Sequence, residues 1–254
     1  MNNRWSLKGK KALVTGASKG IGKAIADELE SLGAHVFSVS RNYSGKDGMK
    51  SDITNADDRQ KLFDIISDKW GTLDILINNA GTNNRKQIHE ISEQNYNELV
   101  SLNMDSVFEM CKIFYQLLKK KSDAKTVKYP LSENESASVV NIVSVAASVS
   151  VGTGPVYAMT KAAITQLTKY LAVDWAKDNI RVNAVAPWYI RTPLTAKYVT
   201  NDEYLDKIHS RTPMKRIGEP EEVAAAAAFF CMPAASYITG ECLSVDGGFL
   251  KYGF

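Results

Sequence analysis

Residues 11–22, Lys-Ala-Leu-Val-Thr-Gly-Ala-Ser-Lys-Gly-Ile-Gly, leave this chain few folds to choose from. A short apolar run, Lys11–Thr15, breaks into glycines spaced G-x-x-x-G-x-G. A helical apolar pattern, Ile21–Leu32, follows and stops at Gly33, and a second apolar run covers Ala34–Ser40. Strand, glycine turn, helix, strand reads as a parallel unit, because parallel neighbours need a crossover of about this length. Gly16 permits a tight exit from the strand, Gly20 lets the backbone approach an anion, and Gly22 lets the helix pack closely on the sheet. The helix N-terminus adds unpaired N–H groups and a favourable dipole, so Gly16, Ser18, Lys19, Gly20, Ile21 and Gly22 form a candidate pyrophosphate cradle.

The alternation continues to the C-terminus. Helical patterns cover Asp57–Trp70, with Asn55 or Ala56 near the cap, then Tyr96–Lys120, Tyr157–Lys177 and Glu219–Phe230. Strand candidates are Leu73–Asn78, Ser138–Ser144, Arg181–Ala186 and Cys242–Val245. The pattern predicts one α/β domain over residues 1–254, a doubly wound parallel sheet of Rossmann type. No linker or internal repeat divides it. Ten residues lie between Arg41 and Asp52, so the crossover there must be abbreviated. The polar stretch Ser122–Ala137 reads as an exposed loop, and Thr192–Arg216, with two prolines and a mixed helical pattern, is long enough for a substrate lid.

About 20 residues beyond the glycines, such units carry an acid that binds a ribose 2′-hydroxyl. Here the second strand ends in Ser40-Arg41-Asn42, with no acid before Asp47, and Lys19 adds a second cation. Both cations suit a 2′-phosphate, which favours NADP(H) over NAD(H), although each also reads as a solvated surface cation.

Tyr157-Ala158-Met159-Thr160-Lys161 sets a phenol and an amine one helical turn apart, on one face. A neighbouring ammonium should draw the tyrosine pKa below about 10 and let it exchange a proton near neutral pH. Ser144, at a strand's carboxyl end thirteen residues earlier, could hydrogen-bond the same substrate oxygen. Alone, this pattern arises often by chance, and Tyr157 and Lys161 read sooner as a helix-surface pair.

Together, Thr15–Gly22, Asn78-Asn79-Ala80-Gly81, Ser144 and Tyr157/Lys161 stand in the order and spacing of the short-chain dehydrogenase/reductase family, and the chain resembles that family from Leu7 to Gly248. The resemblance implies a catalytic set of Asn103, Ser144, Tyr157 and Lys161. Asn103 would hold a kink in the long helix and serve the lysine. Ser144 would orient a carbonyl. Tyr157 would act as acid in reduction, and Lys161 would hold the nicotinamide ribose and tune the tyrosine. It implies further cofactor contacts at Ser40, Arg41, Asp52, Ile53, Asn79, Ala80, Gly81, Pro187, Ile190 and Thr192, beside Tyr157 and Lys161. Substrate contacts fall on Ser144, Ala146, Tyr157 and Trp188. Arg4–Gly9, Trp175–Asn183 and Pro233–Gly240 look most like the tropinone-reductase-like branch, which reduces ketones, cyclic amino-ketones among them, with NADPH. Most of the family has Gly where this chain has Trp188, a residue that some members of the branch share. The indole should pack beside the cofactor loop or narrow the pocket.

The remaining features exclude more than they add. Thirty-one basic and 28 acidic residues, a net charge of +3, argue against a nucleic-acid partner. No run of about 18 apolar residues suggests a membrane span, and the polar N-terminus lacks a signal-peptide core. Three cysteines without a CxxC pair, of which Cys111 and Cys231 read as buried thiols, suit a reducing compartment, the cytoplasm. His35, His89 and His209 have no metal-ligand spacing, so no metal is expected. Tyr189, Tyr198, Tyr204 and Phe249 could line a pocket or pack the lid. The resemblance also implies a homo-oligomer, tetramer or dimer, through the Tyr96–Lys120 and Tyr157–Lys177 helices. Three rivals stay open beside a carbonyl reductase. They are a 3-oxoacyl-thioester reductase, an NAD-linked sugar or polyol dehydrogenase, and a cofactor-sensing regulator of the same fold.

Overall fold

The computed structural model describes residues 4–119 and 136–253. Strands β1 (Lys11–Thr15), β2 (His35–Ser40), β3 (Gly48–Lys50), β4 (Ile75–Asn78), β5 (Ala137–Ile142), β6 (Ile180–Pro187) and β7 (Cys242–Val245) form one parallel sheet in the order β3-β2-β1-β4-β5-β6-β7. The order reverses between β1 and β4. Successive connections leave that point in opposite directions and open a crevice at the strands' carboxyl ends.

The inner strands β1, β4, β5 and β6 are buried almost throughout because both faces are covered. Alternate residues serve separate cores: Ala12 and Val14 of β1, with Ile75 and Ile77 of β4, join one, while Leu13 and Leu76 join the other. The first core is closed by α1 (Gly20–Ser31) and α8 (Pro220–Cys231), which pack on each other. Val223, Ala224, Ala227 and Ala228 give α8 a face of small side chains, so the helices come close. The second is closed by α2 (Ala56–Trp70), α4 (Ser106–Lys119) and α5 (Pro155–Asp174).

Two differences from the sequence pattern bear on the site. The abbreviated crossover after Arg41 holds no helix, yet β3 still pairs with β2 through Ser38, Val39 and Ser40, which brings Ser51 and Asp52 beside the end of β2. The long helix predicted at Tyr96 begins at Glu93, where Ser92 accepts the Asn95 N–H, and divides into α3 (Glu93–Val100) and α4 around a π-type turn at Ser101–Asp105. The stretch predicted as an exposed loop from Ser122 lies almost wholly outside the described residues. The Thr192–Arg216 segment contains α6 (Ala196–Val199) and α7 (Asp202–Arg211), packed with Tyr189 and Ile217 in a small core of its own.

Candidate active site

A cleft of about 450 Å³ opens along the carboxyl ends of β1, β2, β4, β5 and β6, at the reversal of strand order. All of the residues expected to contact a cofactor line it: Gly16, Ser18, Lys19, Gly20, Ile21, Gly22, Ser40, Arg41, Asp52, Ile53, Asn79, Ala80, Gly81, Tyr157, Lys161, Pro187, Ile190 and Thr192.

Its floor is built by backbone approaching backbone. A Cβ on Gly22 would lie 2.3 Å from the Gly16 carbonyl oxygen and from Asn79 Nδ2, so no larger residue fits without moving the chain. Gly16 has φ +67°, which L side chains rarely adopt. Asn79 ties the turn to the sheet, donating through Nδ2 to the carbonyls of Thr15 (2.9 Å) and Gly16 (3.2 Å). Thr15 Oγ1 accepts the N–H groups of Asn79 and Ala80 and donates to the Ile77 carbonyl, joining β1 to the end of β4. That hydroxyl was not anticipated from the sequence, since a threonine in a strand reads as packing. The Asp52 carboxylate is engaged in its own turn, accepting from the N–H and hydroxyl of Thr54 at 3.0 and 2.8 Å.

The far end of the cleft carries a test of fit. The hydroxyl oxygens of Ser40 and Ser51 are buried there with no hydrogen-bond partner, beside exposed Arg41. Buried hydroxyls are ordinarily satisfied. Two orphans at the ends of β2 and β3, in a cleft that Arg41 also lines, leave hydrogen-bonding capacity for the ribose of a dinucleotide. The residues present fit a dinucleotide.

The four catalytic candidates converge at the other end. Asn103 sits in the π-type turn, fully buried, with its amide accepting from Thr82 N–H (2.9 Å) and donating to Thr82 O (2.8 Å). Lys161 Nζ donates to the Ile142 carbonyl at 2.8 Å. Gly81 lies between them, and a Cβ there would stand 3.1 Å from Asn103 Oδ1 and 3.5 Å from Lys161 Nζ. Ser144 accepts the Ala146 N–H at 3.2 Å, and its hydroxyl lies near enough to the Tyr157 phenol to act on its acidity.

The electrostatics differ from the simple expectation for a phenol beside an ammonium. Burial pushes the Tyr157 phenol up, opposed by the Ser144 hydroxyl and the positive charge of Arg85 rather than by Lys161. Burial also lowers the Lys161 amine to about 8, because an ammonium in an apolar surrounding loses its hydration. The amine therefore titrates close to neutral pH, 5.7 Å from the centre of the tyrosine ring.

A second cavity of about 400 Å³ shares Ser144, Tyr157 and Trp188 with the cleft and runs to the 83–86 loop, Tyr189 and Tyr198. Gly154 (φ +88°) admits that loop, since a Cβ there would stand 2.8 Å from the Asn84 carbonyl oxygen. Trp188 stacks on Phe249 at 3.9 Å between ring centroids and donates through Nε1 to Thr212 Oγ1, which fixes its indole as a wall of both cavities. Among the expected substrate contacts, Ala146 does not reach either cavity; it is buried, and its role is the amide on Ser144. Phe249 backs Trp188, and Tyr204 lies behind Tyr189, their hydroxyls 2.7 Å apart. Sequence reasoning missed Asn83 and Arg85, because polar residues on a loop after a strand carry no local signature. It also missed Thr195, whose hydroxyl accepts Thr192 N–H and donates to the Ile190 carbonyl, shaping the loop over the cleft. Among the described residues, no group of three His, Cys, Asp or Glu side chains could hold a metal ion, and no helix is long and apolar enough to cross a membrane.

Residues 16–250 match a family model described as enoyl-(acyl carrier protein) reductase. The chain is 44% identical to a chloroplastic tropinone reductase homologue of Arabidopsis thaliana, over 99% of this chain and 79% of that one. It is 43% identical to a second tropinone reductase homologue of the same plant, over 100% and 97%. In structure it resembles Pseudomonas aeruginosa RhlG, solved as an NADP active-site complex, with a TM-score of 0.88, 31% identity, and 98% and 99% of the two chains covered.

Proposed function

The chain belongs to the tropinone-reductase-like branch of the short-chain dehydrogenase/reductase family, and from that premise we propose that it is an NADP(H)-dependent carbonyl reductase, turning a ketone or aldehyde into an alcohol. One observation carries the reading: the Tyr157 phenol, together with Ser144, belongs to the walls of both the dinucleotide cleft and the second cavity. A proton donor at that junction meets a substrate from one side and a cofactor from the other.

A bound dihydronicotinamide supplies the hydride that the carbonyl carbon takes up. Tyr157 delivers a proton to the carbonyl oxygen, so carbonyl, NADPH and one proton become alcohol and NADP⁺. Ser144 donates a hydrogen bond to the same oxygen and stabilises the charge that gathers there. Burial alone would hold Tyr157 as a weak acid; the Ser144 hydroxyl and the Arg85 charge offset this in part. Lys161, at about 8, can return a proton to the phenol, and Asn103 fixes the Gly81–Thr82 backbone against it. The Gly16–Gly22 loop holds the pyrophosphate. Lys19, Ser40, Arg41 and Ser51 meet the 2′-phosphorylated ribose, Asp52, Ile53 and Asn79 to Gly81 meet the adenosine side, and Pro187, Ile190 and Thr192 meet the nicotinamide amide. Thr192–Arg216 forms the substrate lid, with Leu194, Thr195 and Tyr198 on the second cavity.

We place the protein in the cytoplasm, in keeping with three free thiols, as a homotetramer or dimer assembled through the exposed apolar side chains Phe108 of α4 and Tyr170 and Val173 of α5. The whole chain serves as one catalytic domain. A second reading, reduction of a 3-oxoacyl thioester, draws on the description of the family model and uses the same residues.

Tyr157→Phe tests the reading. Carbonyl-dependent NADPH oxidation should fall by about 10³-fold or more, while NADPH binding, followed by its fluorescence, stays intact. Unchanged turnover in this variant would remove Tyr157 from the chemistry. Assays with an acyl thioester against a cyclic ketone separate the two substrate readings.

A further inference from the structure

The second cavity holds a cation that the proposed reaction does not bring into contact with the reacting atoms. Arg85 lines it, in the loop after β4, with its guanidinium 3.6 Å from the centre of the Tyr198 ring and within 6 Å of those of Tyr189 and Tyr204. Its Nη1 donates to the Tyr204 hydroxyl at 2.7 Å. The groups acting on its charge are these three tyrosines; no carboxylate pairs with it among the described residues. Burial and the hydrogen bond with Tyr204 push the Tyr189 phenol up, so that ring stays neutral and does not cancel the charge. Aromatic faces stabilise a guanidinium only modestly, and a half-buried cation without a counter-ion is unfavourable. The cavity walls contain Arg85 and Lys86 and no acid. Lys86 donates to Asn95 Oδ1, whereas Asn83 Oδ1, on the same wall, is buried with no partner at all. The Arg85 charge also reaches Tyr157, so cation and proton donor face one enclosed space.

Resting on the reductase reading, and deepening it, we infer that the substrate is an oxo-carboxylic acid whose carboxylate binds Arg85 while its carbonyl meets Ser144 and Tyr157. A guanidinium offers five N–H donors in a planar fork suited to a carboxylate. The tyrosine box pre-orients the fork, which reduces the ordering needed on binding. The same charge disfavours cationic amino-ketones, since two cations brought into one cavity without a counter-ion repel.

Three probes decide it, each assayed by NADPH oxidation: 5-oxohexanoate, its methyl ester, and 3-quinuclidinone as a cationic ketone. The wild-type protein should prefer them in that order by kcat/KM. In Arg85→Met the value for the acid should fall about 100-fold, mainly through KM, with a fall below tenfold for the ester; Arg85→Lys should recover part of the loss. A circular-dichroism melt of each variant checks that it is folded. The inference is overturned if the wild type uses the ester as well as the acid, or if Arg85→Met lowers both equally, which is the behaviour of a pin that only holds the lid. If ester and quinuclidinone are reduced and the acid is not, the inference alone fails. If NADPH binds and none of the three is reduced, the reductase reading fails with it.

Discussion

The two cavities that meet at Ser144 and Tyr157 are built by different means. The dinucleotide cleft is made by backbone: glycines that let a helix start touch a strand end, and carbonyls and amides locked by Asn79 and Thr15. The second cavity is made by side chains from distant segments: Arg85 after β4, Tyr157 on α5, Trp188 after β6 and Tyr198 on α6. A backbone-made site tolerates little change and recognises what every substrate cycle shares. A side-chain-made site can be altered residue by residue without disturbing the sheet. The contrast explains how one fold keeps its cofactor while its substrates vary.

The junction should be the most sensitive place. Lys161→Met is expected to lower carbonyl-dependent turnover by about 10³-fold and yet to stabilise the fold near neutral pH. The amine falls from 10.5 to about 8 on folding. Between those values the unfolded chain holds this proton and the folded chain does not, so stability rises with pH through that window. Below about 8 both states hold it and the full penalty stands, on the order of 3 kcal/mol. Less about 1 kcal/mol for the lost hydrogen bond to Ile142, the variant should gain roughly 1–2 kcal/mol at pH 7, shrinking to nothing by pH 10. Urea unfolding at the two pH values measures this, and a variant less stable at pH 7 would contradict it.

On the cofactor side, Gly22→Ala should lose about 2–3 kcal/mol of stability and most NADPH affinity. Alanine gains about 1 kcal/mol in helix propensity, but its Cβ would stand 2.3 Å from the Gly16 carbonyl oxygen, which only a backbone shift relieves. Melting curves with and without NADPH read both effects; an unperturbed variant would mean the close approach is not required. The smallest effect is expected at the exposed cleft rim. Arg41→Asp should weaken NADPH by about tenfold and improve NADH, as measured by fluorescence titration. Equal affinities before and after would assign the 2′-phosphate to other residues.

Particular elements account for how much was legible. Strand β1 lies where its apolar run ends, because a strand buried along almost its whole length leaves no polar position to blur its limits, and the edge strand β7, though partly exposed, also keeps the bounds of its short run. Asn103 was placed by resemblance, and the structure adds the π-type turn that carries it. Strand β3 was invisible: Gly48–Lys50 has no apolar period and exists because β2 offers it an edge. The direction of the Tyr157 shift was misjudged for a related reason. Sequence gives the spacing of a phenol and an amine on a helix, whereas burial and the competing Ile142 carbonyl come from β5.

The sequence by itself determined the glycine turn and the strands other than β3, since each depends on spacings of a few residues along one strand or turn, and it supplied the candidate catalytic side chains through the family resemblance. Tertiary structure alone decided which charges stay uncompensated, how Trp188 stacks on Phe249, and that Arg85 stands among three tyrosines more than a hundred residues away in the chain. The physical reason is range: backbone geometry is set by neighbours, while solvation and Coulomb interactions are set by whatever the fold brings within a few ångströms.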